Sequence, residues 1–219
     1  MTELQGRIAL VTGASRGLGY ATAMELARGG AHIIAVARTV GGLEDLADSV
    51  DSAGGSSTLV PLDITDDGGV QRMCLAIHER WGGCDFWVHT AIQDSPLSSA
   101  ASIAPKDLDK AVAANVTAAS RLIRMVTPLL VAKGGTAVYC RDDNAVGKFS
   151  GSYGATKAAQ TSLFESWSAE TSQTGPRVVS FSPNPMPTAL RARFYPGENP
   201  ALLSPASDEA KRLLATVMV

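Results

Sequence analysis

Arg7-Ile-Ala-Leu-Val-Thr-Gly-Ala-Ser-Arg-Gly-Leu-Gly-Tyr20 reads as a buried strand, a turn punctuated by glycine and the opening of a helix. Glycines at 13, 17 and 19 allow positive φ and remove the Cβ atoms that would hold a ligand away from the backbone. A helix starting at Gly17 turns its unpaired N–H groups and its positive dipole end toward the same spot, which suits a pyrophosphate. Ser15, Arg16 and Leu18 belong to the same turn and would line that cradle. The spacing is Gly-x-x-x-Gly-x-Gly behind Thr12, a variant of the Gly-x-Gly-x-x-Gly dinucleotide fingerprint. The competing reading is a tight turn that holds no ligand.

The rest of the chain agrees with that start. Strand-like runs at Ile8–Thr12, His32–Ala37, Thr58–Leu62, Phe86–Thr90, Thr136–Cys140 and Arg177–Ser182 alternate with helix-like runs. The helices are expected at Gly17–Ala27, Leu43–Ala53, Asp66–Trp81, Lys106–Val131 and Ser152–Thr171, with a last one from about Pro205 to Leu214. In the fourth, Leu108, Val112, Ala119, Ile123, Val126 and Leu130 form an apolar stripe. Gly29-Gly30, Gly54-Gly55, Gly82-Gly83 and Gly134-Gly135 close helices ahead of strands. Strands that are apolar almost throughout are buried on both faces, so the expected fold is α/β, a doubly wound parallel sheet in three layers. One domain spans 1–219, with a polar and aromatic loop at about 184–206 and no clear seventh strand.

Composition narrows the function. Hydrophobic residues are 45%, charged residues 18% and the net charge is −2, so no basic field draws nucleic acid or an anionic membrane. A small molecule is the expected partner. No apolar run is long enough to cross a bilayer, and Met1-Thr-Glu-Leu-Gln lacks a signal-peptide pattern. Cys74, Cys84 and Cys140 are odd in number and far apart, which fits the reducing cytoplasm. His32, His78 and His89 form no spaced set with them, so no metal site is expected.

Two further places carry chemistry. After the second strand, Ala37 stands where an acid would bond a ribose 2′-hydroxyl, and Arg38 follows. A guanidinium pairs with a phosphate, so Arg38 with Arg16 favours NADP(H) over NAD(H). Asp63 and Ile64 end the third strand, where an Asp commonly serves as a helix cap or a turn residue. In Ser152-Tyr153-Gly-Ala-Thr-Lys157, Tyr153 and Lys157 stand four apart and share a helix face. An ammonium near a phenol favours the phenolate and lowers a pKa of about 10, which lets the tyrosine move protons near neutrality.

The glycine loop, Asn115 in Ala-Ala-Asn-Val-Thr and Tyr-x-x-x-Lys resemble the short-chain dehydrogenase/reductase family in type and separation, from about Gly6 to Thr188. The resemblance implies that NADP(H) exchanges a hydride with a carbonyl or secondary alcohol. Tyr153 would then be the acid–base, Lys157 would bind ribose and Asn115 would hold a relay water. Thr90 and Ala91 would lie along the cofactor, Asp63 would touch the adenine, and Pro183 with Thr188 would lie beside the carboxamide. A homodimer or homotetramer paired through the fourth and fifth helices is implied as well, with Ala155, Ala158 and Ala159 allowing close contact.

Three departures gather at the reacting end. Cys140 stands thirteen residues before the tyrosine, where the family has the serine that bonds the substrate oxygen, and a thiol is a weaker donor. Ser150, Ser152, Asp142 and Asp143 are possible substitutes. His89-Thr90-Ala91-Ile92 replaces Asn-Asn-Ala-Gly, and Asn184 replaces a glycine whose positive φ it would tolerate. They raise the alternative of a catalytically silent protein that binds NADP(H) or a protein partner. The resemblance implies a substrate-lid loop at about 184–206, where Arg191, Arg193, Phe194 and Tyr195 would either receive a planar or anionic substrate or form a solvated loop.

Overall fold

The computed structural model describes residues 3–218; Met1, Thr2 and Val219 of the 1–219 domain lie outside the described residues. Among the described residues, six strands form one sheet: β1 (Ile8–Thr12), β2 (His32–Ala37), β3 (Ser56–Pro61), β4 (Phe86–His89), β5 (Thr136–Cys140) and β6 (Arg177–Phe181). Their order is β3-β2-β1-β4-β5-β6 and every pairing is parallel.

Around them stand α1 (Gly17–Arg28), α2 (Val40–Ser52), α3 (Asp67–Trp81), α4 (Pro105–Ala111), α5 (Ala118–Val131), α6 (Gly151–Thr171), α7 (Ala189–Phe194) and α8 (Ala206–Val217). The two faces of the sheet make two cores. Ala9, Val11, Ile33 and Ala35 pack with α1, α2 and α8, whereas Ile8, Leu10, Ile34 and Val36 pack with α3, α5 and α6. Alternate residues of one strand feed opposite layers, which is why the strands read as unbroken apolar runs.

The order in which successive strands are added reverses between β1 and β4, and a crevice opens there at the carboxyl ends of the strands. Three expected boundaries shift. β3 starts at Ser56, α2 starts at Val40, and the expected 106–131 helix is divided by a π-helical segment at Val112–Thr117. One wider turn rotates the face of everything before it. Val112, expected on the buried stripe, is therefore exposed, while Asn115 is fully buried and Ala118, Leu122, Val126 and Leu129 carry the packing. Helical spacing alone assumes an unbroken turn and misses this.

Candidate active site

One cavity of about 420 Å³ lies in the crevice at the carboxyl ends of the strands. It is lined by Gly13, Ser15, Arg16, Gly17, Leu18, Gly19, Arg38, Asp63, Ile64, Thr90, Ala91, Cys140, Tyr153, Lys157, Pro183 and Thr188, so these sequence-expected residues meet in one place. Asn115 is absent from its wall. Among the described residues no three His, Cys, Asp or Glu side chains gather as a metal set.

The glycine loop has a steric reason. A Cβ on Gly13 would stand 2.6 Å from the Ala91 amide nitrogen, and one on Gly19 would overlap Gly13 O and Thr90 Oγ1. The loop therefore lies directly on the end of β4, where Thr90 Oγ1 donates to Thr12 O at 2.8 Å. Gly17 differs, because φ is +58° and a Cβ there meets only Thr188 Cγ2 at 3.4 Å. That side of the loop is an open cradle. The N-cap residue Arg16 makes no side-chain capping bond, which leaves first-turn N–H groups of α1 for an anion. These features fit a dinucleotide pyrophosphate.

Arg16 and Arg38 are exposed at this end of the cavity. Arg38 Nη1 reaches Gln93 Oε1 at 3.4 Å and Asp63 Oδ2 at 3.9 Å, weak contacts that a phosphate can displace. The other Asp63 oxygen accepts from the Thr65 amide at 2.9 Å and its hydroxyl at 2.8 Å, so the turn role of Asp63 is present.

At the reacting end, α6 presents Tyr153 and Lys157, both buried, to the same cavity. The hydroxyl of Tyr153 donates to Asp142 Oδ2 at 2.9 Å, and the ring meets Phe194 edge-on at 5.1 Å. Burial first, and then the Asp142 carboxylate, push the phenol pKa well above its ordinary value. This reverses the expected direction. Lys157 Nζ is turned to the Cys140 carbonyl at 2.7 Å and Gln160 Oε1 at 3.0 Å, with the Tyr139 ring 4.6 Å away. Burial lowers the lysine to about 8. Burial likewise raises the Cys140 thiol to about 12, against the pull of Lys157, and keeps it protonated.

Of the substitutes for a serine donor, Asp142 is the one that reaches the tyrosine. Asp143 accepts from Ser182 at 2.6 Å and pairs with Arg141 at 3.0 Å. Ser150 is on the cavity wall, while the Ser152 hydroxyl is buried without a partner and off that wall. Gly154 lets the loop carrying Asp142 lie on α6, because a Cβ there would overlap the Ala145 carbonyl.

Asn115 works from behind the wall. Its Oδ1 accepts from the Gln93 amide at 2.7 Å, and its Nδ2 donates to Gln93 O at 2.9 Å and to Thr156 Oγ1 at 3.0 Å. The side chain therefore clamps the segment that follows β4.

A buried polar chain escaped the sequence reading. Thr12 Oγ1 lies 2.8 Å from His89 Nδ1, and Gln160 Nε2 lies 3.1 Å from His89 Nε2. Lysine can only donate, so the Gln160 oxygen faces Lys157 and its nitrogen faces His89. His89 Nε2 must then accept, which puts the imidazole proton on Nδ1. Burial, and next the Lys157 charge, lower His89 to about 3, so the ring is neutral. The available signal was Gln160, a polar residue on the same helix face as Lys157.

Two expectations are corrected. Among the described residues only Phe149 is a non-glycine with positive φ, so Asn184 is not needed for that conformation. Instead its amide and Nδ2 donate to Glu209 at 3.0 and 2.9 Å, which ties this loop to α8. The lid arginines are already matched. Arg191 forks onto Glu198 at 2.6 and 2.7 Å and lies 4.0 Å from the Tyr195 ring, and Arg193 pairs with Asp94 across the cavity. They offer no free cation to a substrate, and Phe194 rather than Tyr195 meets the catalytic candidate. Thr188 Oγ1 accepts from the Arg191 amide at 3.2 Å, so it caps α7 at the cavity edge.

Sequence and structure comparisons agree with this geometry. The short chain dehydrogenase family profile matches residues 7–199. An uncharacterized oxidoreductase of Staphylococcus haemolyticus is 29% identical over 198 residues, 88% of this chain and 84% of that one. A structure described as a short chain dehydrogenase from Pseudomonas syringae superposes with TM-score 0.92 at 26% identity, covering 99% of this chain and 90% of that one. One from Escherichia coli CFT073, complexed with NADPH, gives 0.89 at 26% identity, covering 99% and 92%. Carveol dehydrogenase from Mycobacterium avium, in complex with NAD, shares the fold at 20% identity and TM-score 0.89, covering 99% and 92%.

Proposed function

Because this chain belongs to the short chain dehydrogenase family and is an oxidoreductase by that membership, we propose that it passes a hydride between NADP(H) and a carbonyl or secondary alcohol of a small molecule. One observation carries the reading. The uncapped start of α1 with Arg16 and Arg38, and the buried Tyr153 and Lys157, open onto the same cavity.

When bound, the cofactor supplies the hydride at nicotinamide C4. The Gly13–Gly19 loop receives the pyrophosphate, and Arg16 with Arg38 receives the 2′-phosphate. Lys157 has one N–H beyond its bonds to Cys140 and Gln160, and that donor goes to a ribose hydroxyl. Tyr153, held protonated, gives its hydroxyl proton to the substrate oxygen, with Cys140 as the weak orienting donor and Asn115 supporting the wall through its clamp on Gln93. The protonated phenol is the form that reduction uses. Exposed Ala155 and Ala158 on α6 support helix pairing in a homodimer or homotetramer. Among the described residues no helix is long and apolar enough to cross a membrane, and the free cysteines support a cytoplasmic setting.

Fluorescence titration with NADPH and NADH, followed by a carbonyl panel, tests the reading. We expect NADPH to bind at least tenfold more tightly than NADH. Arg38→Ala should remove about 1.5–3 kcal/mol from NADPH binding alone, a loss on the order of 10–100-fold. Tyr153→Phe should lower kcat by about 10²-fold or more. Equal binding of the two cofactors would overturn the NADP(H) assignment, and unchanged turnover in Tyr153→Phe would overturn the acid–base. A second reading, a silent NADP(H)-binding protein, is supported by the Tyr153–Asp142 bond and by Cys140. Tight NADPH binding without turnover of any carbonyl would select it.

A further inference from the structure

Three acidic side chains line the cavity: Asp94 pairs with Arg193, and Asp63 lies at the phosphate end, 3.9 Å from Arg38. Among the described residues the third, Asp142, has no ion-pair partner. Its Oδ2 lies 2.9 Å from the Tyr153 hydroxyl, and its Oδ1 accepts only the Asn144 amide at 3.1 Å. The charges of Lys157 and Arg191 interact with it, but neither pairs with it directly, so a carboxylate without a contacting cation stands where the substrate's reacting heteroatom must come to meet the tyrosine.

The sign of that charge discriminates between substrates. Reduction of a carbonyl builds negative charge on oxygen in the transition state and calls for strong donors there. Here a carboxylate repels that charge, and the neighbouring donor is the protonated thiol of Cys140. A protonated imine behaves in the opposite way. It arrives with positive charge on C=N–H⁺, a carboxylate attracts it, and its N–H is a donor for the oxygen that Tyr153 now occupies.

We propose that this site takes protonated imines as well as carbonyls, and prefers them, with the Asp142 carboxylate as counter-ion to the substrate nitrogen. The proposal rests on the reading of the cavity as an NADP(H) site and is independent of its carbonyl half. The step balances without a proton from the protein. The reductant, a reduced nicotinamide dinucleotide, gives a hydride to the imine carbon and becomes the oxidised pyridinium. The C=N π pair moves onto nitrogen, which becomes a neutral secondary amine. Tyr153 then serves as a hydrogen-bonding wall, and its retained proton is no handicap. The Phe194 ring, edge-on to Tyr153 at 5.1 Å, gives the hydrocarbon part of such a substrate an apolar neighbour.

Two measurements test this on the full chain. In the absence of cofactor, isothermal titration with protonated 1,2,3,4-tetrahydroisoquinoline reads recognition of the cation alone. We expect binding in wild type, at least tenfold weaker binding in Asp142→Asn and in Asp142→Ser, and unchanged binding in Asp143→Asn, whose carboxylate faces Arg141 and Ser182. With NADPH, kcat/KM for 3,4-dihydroisoquinoline should exceed that for 1-tetralone by tenfold or more, and the ratio should fall at least tenfold in Asp142→Asn. Circular dichroism and thermal melting confirm that the variants are folded, and the second variant decides if the first is not. Failure of the cation to bind, or the same binding and ratio in a folded Asp142 variant, overturns the proposal. Failure of NADPH to bind overturns the cofactor reading instead, and the cofactor-free titration still decides whether Asp142 recognises the cation.

Discussion

Replacing Gln160 with leucine interrogates the buried chain that runs from Thr12 through His89 to Lys157. The amide bridges Lys157 Nζ at 3.0 Å and His89 Nε2 at 3.1 Å, and Gln160 is only 1% exposed. Leucine of similar volume removes both contacts and admits no water. His89 Nε2 is then an orphaned buried acceptor, and Lys157 retains the Cys140 carbonyl but loses its second acceptor. Each orphaned group costs about 1–3 kcal/mol, and the added apolar surface returns about 1 kcal/mol. The net loss is about 1–5 kcal/mol, which for a domain of this size lowers Tm by about 2–20 °C. Glutamate at the same position should cost less. Its carboxylate accepts from Lys157, and His89 answers by moving its proton to Nε2, where it donates to the new oxygen while Nδ1 accepts from the Thr12 hydroxyl. Thermal unfolding of Gln160→Leu and Gln160→Glu gives the energies, and ¹⁵N NMR of His89 gives the tautomer: Nδ1–H in wild type, Nε2–H in the glutamate variant. A leucine variant within about 0.5 kcal/mol of wild type, below the usual worth of one such bond, refutes the reasoning. So does a wild-type His89 protonated at Nε2.

Gly19→Ala should lose NADPH binding and destabilise the fold by about 1–3 kcal/mol, the usual cost of overpacking, because its Cβ overlaps a backbone carbonyl that cannot step aside; fluorescence titration and urea unfolding read the two effects. His89 is held at about 3, against 6.5 in the unfolded chain. The unfolded state therefore takes up the proton first, and this group's contribution is complete above pH 6.5 and is lost as pH falls toward 3. His89→Asn lacks that titration, so urea unfolding from pH 7 to 4 should show a shallower acid loss than wild type; parallel curves would count against the buried neutral ring.

What could be read from the chain divides by distance along it. The phosphate end is made by neighbours: residues 13–19 carry the glycine turn, and Arg38 follows β2 directly, so composition and spacing encode the geometry. The Tyr153–Lys157 pair is also local, fixed by one helical turn. The reacting end is assembled from residues 94, 142, 153 and 194, which meet only because four connections converge at the carboxyl ends of the sheet. No periodicity links Asp142 to Tyr153 or Arg193 to Asp94. The π segment is another loss of this kind, since Asn115 turns inward only when the helix widens around it. The same holds for Asn184, whose reason is Glu209 on a helix 25 residues away.

That division bears on the chemistry. At the phosphate end the chain keeps what any dinucleotide site needs, so its retention says little about the substrate. At the other end two groups shift charge and donor strength in one direction. Cys140 weakens donation and Asp142 adds negative charge, while burial first and then Asp142 make the tyrosine hold its proton more firmly. A carbonyl at that place would gain negative charge during reduction and meet a poorer hole than a serine provides. A cationic carbon–nitrogen double bond loses positive charge as it reacts, so the carboxylate binds the ground state at least as strongly as the transition state. Asp142 therefore acts mainly through affinity and orientation, and its replacement should raise KM for an imine more than it lowers kcat. A loss in Asp142→Asn confined to kcat, with KM for the imine unchanged, would contradict the counter-ion role.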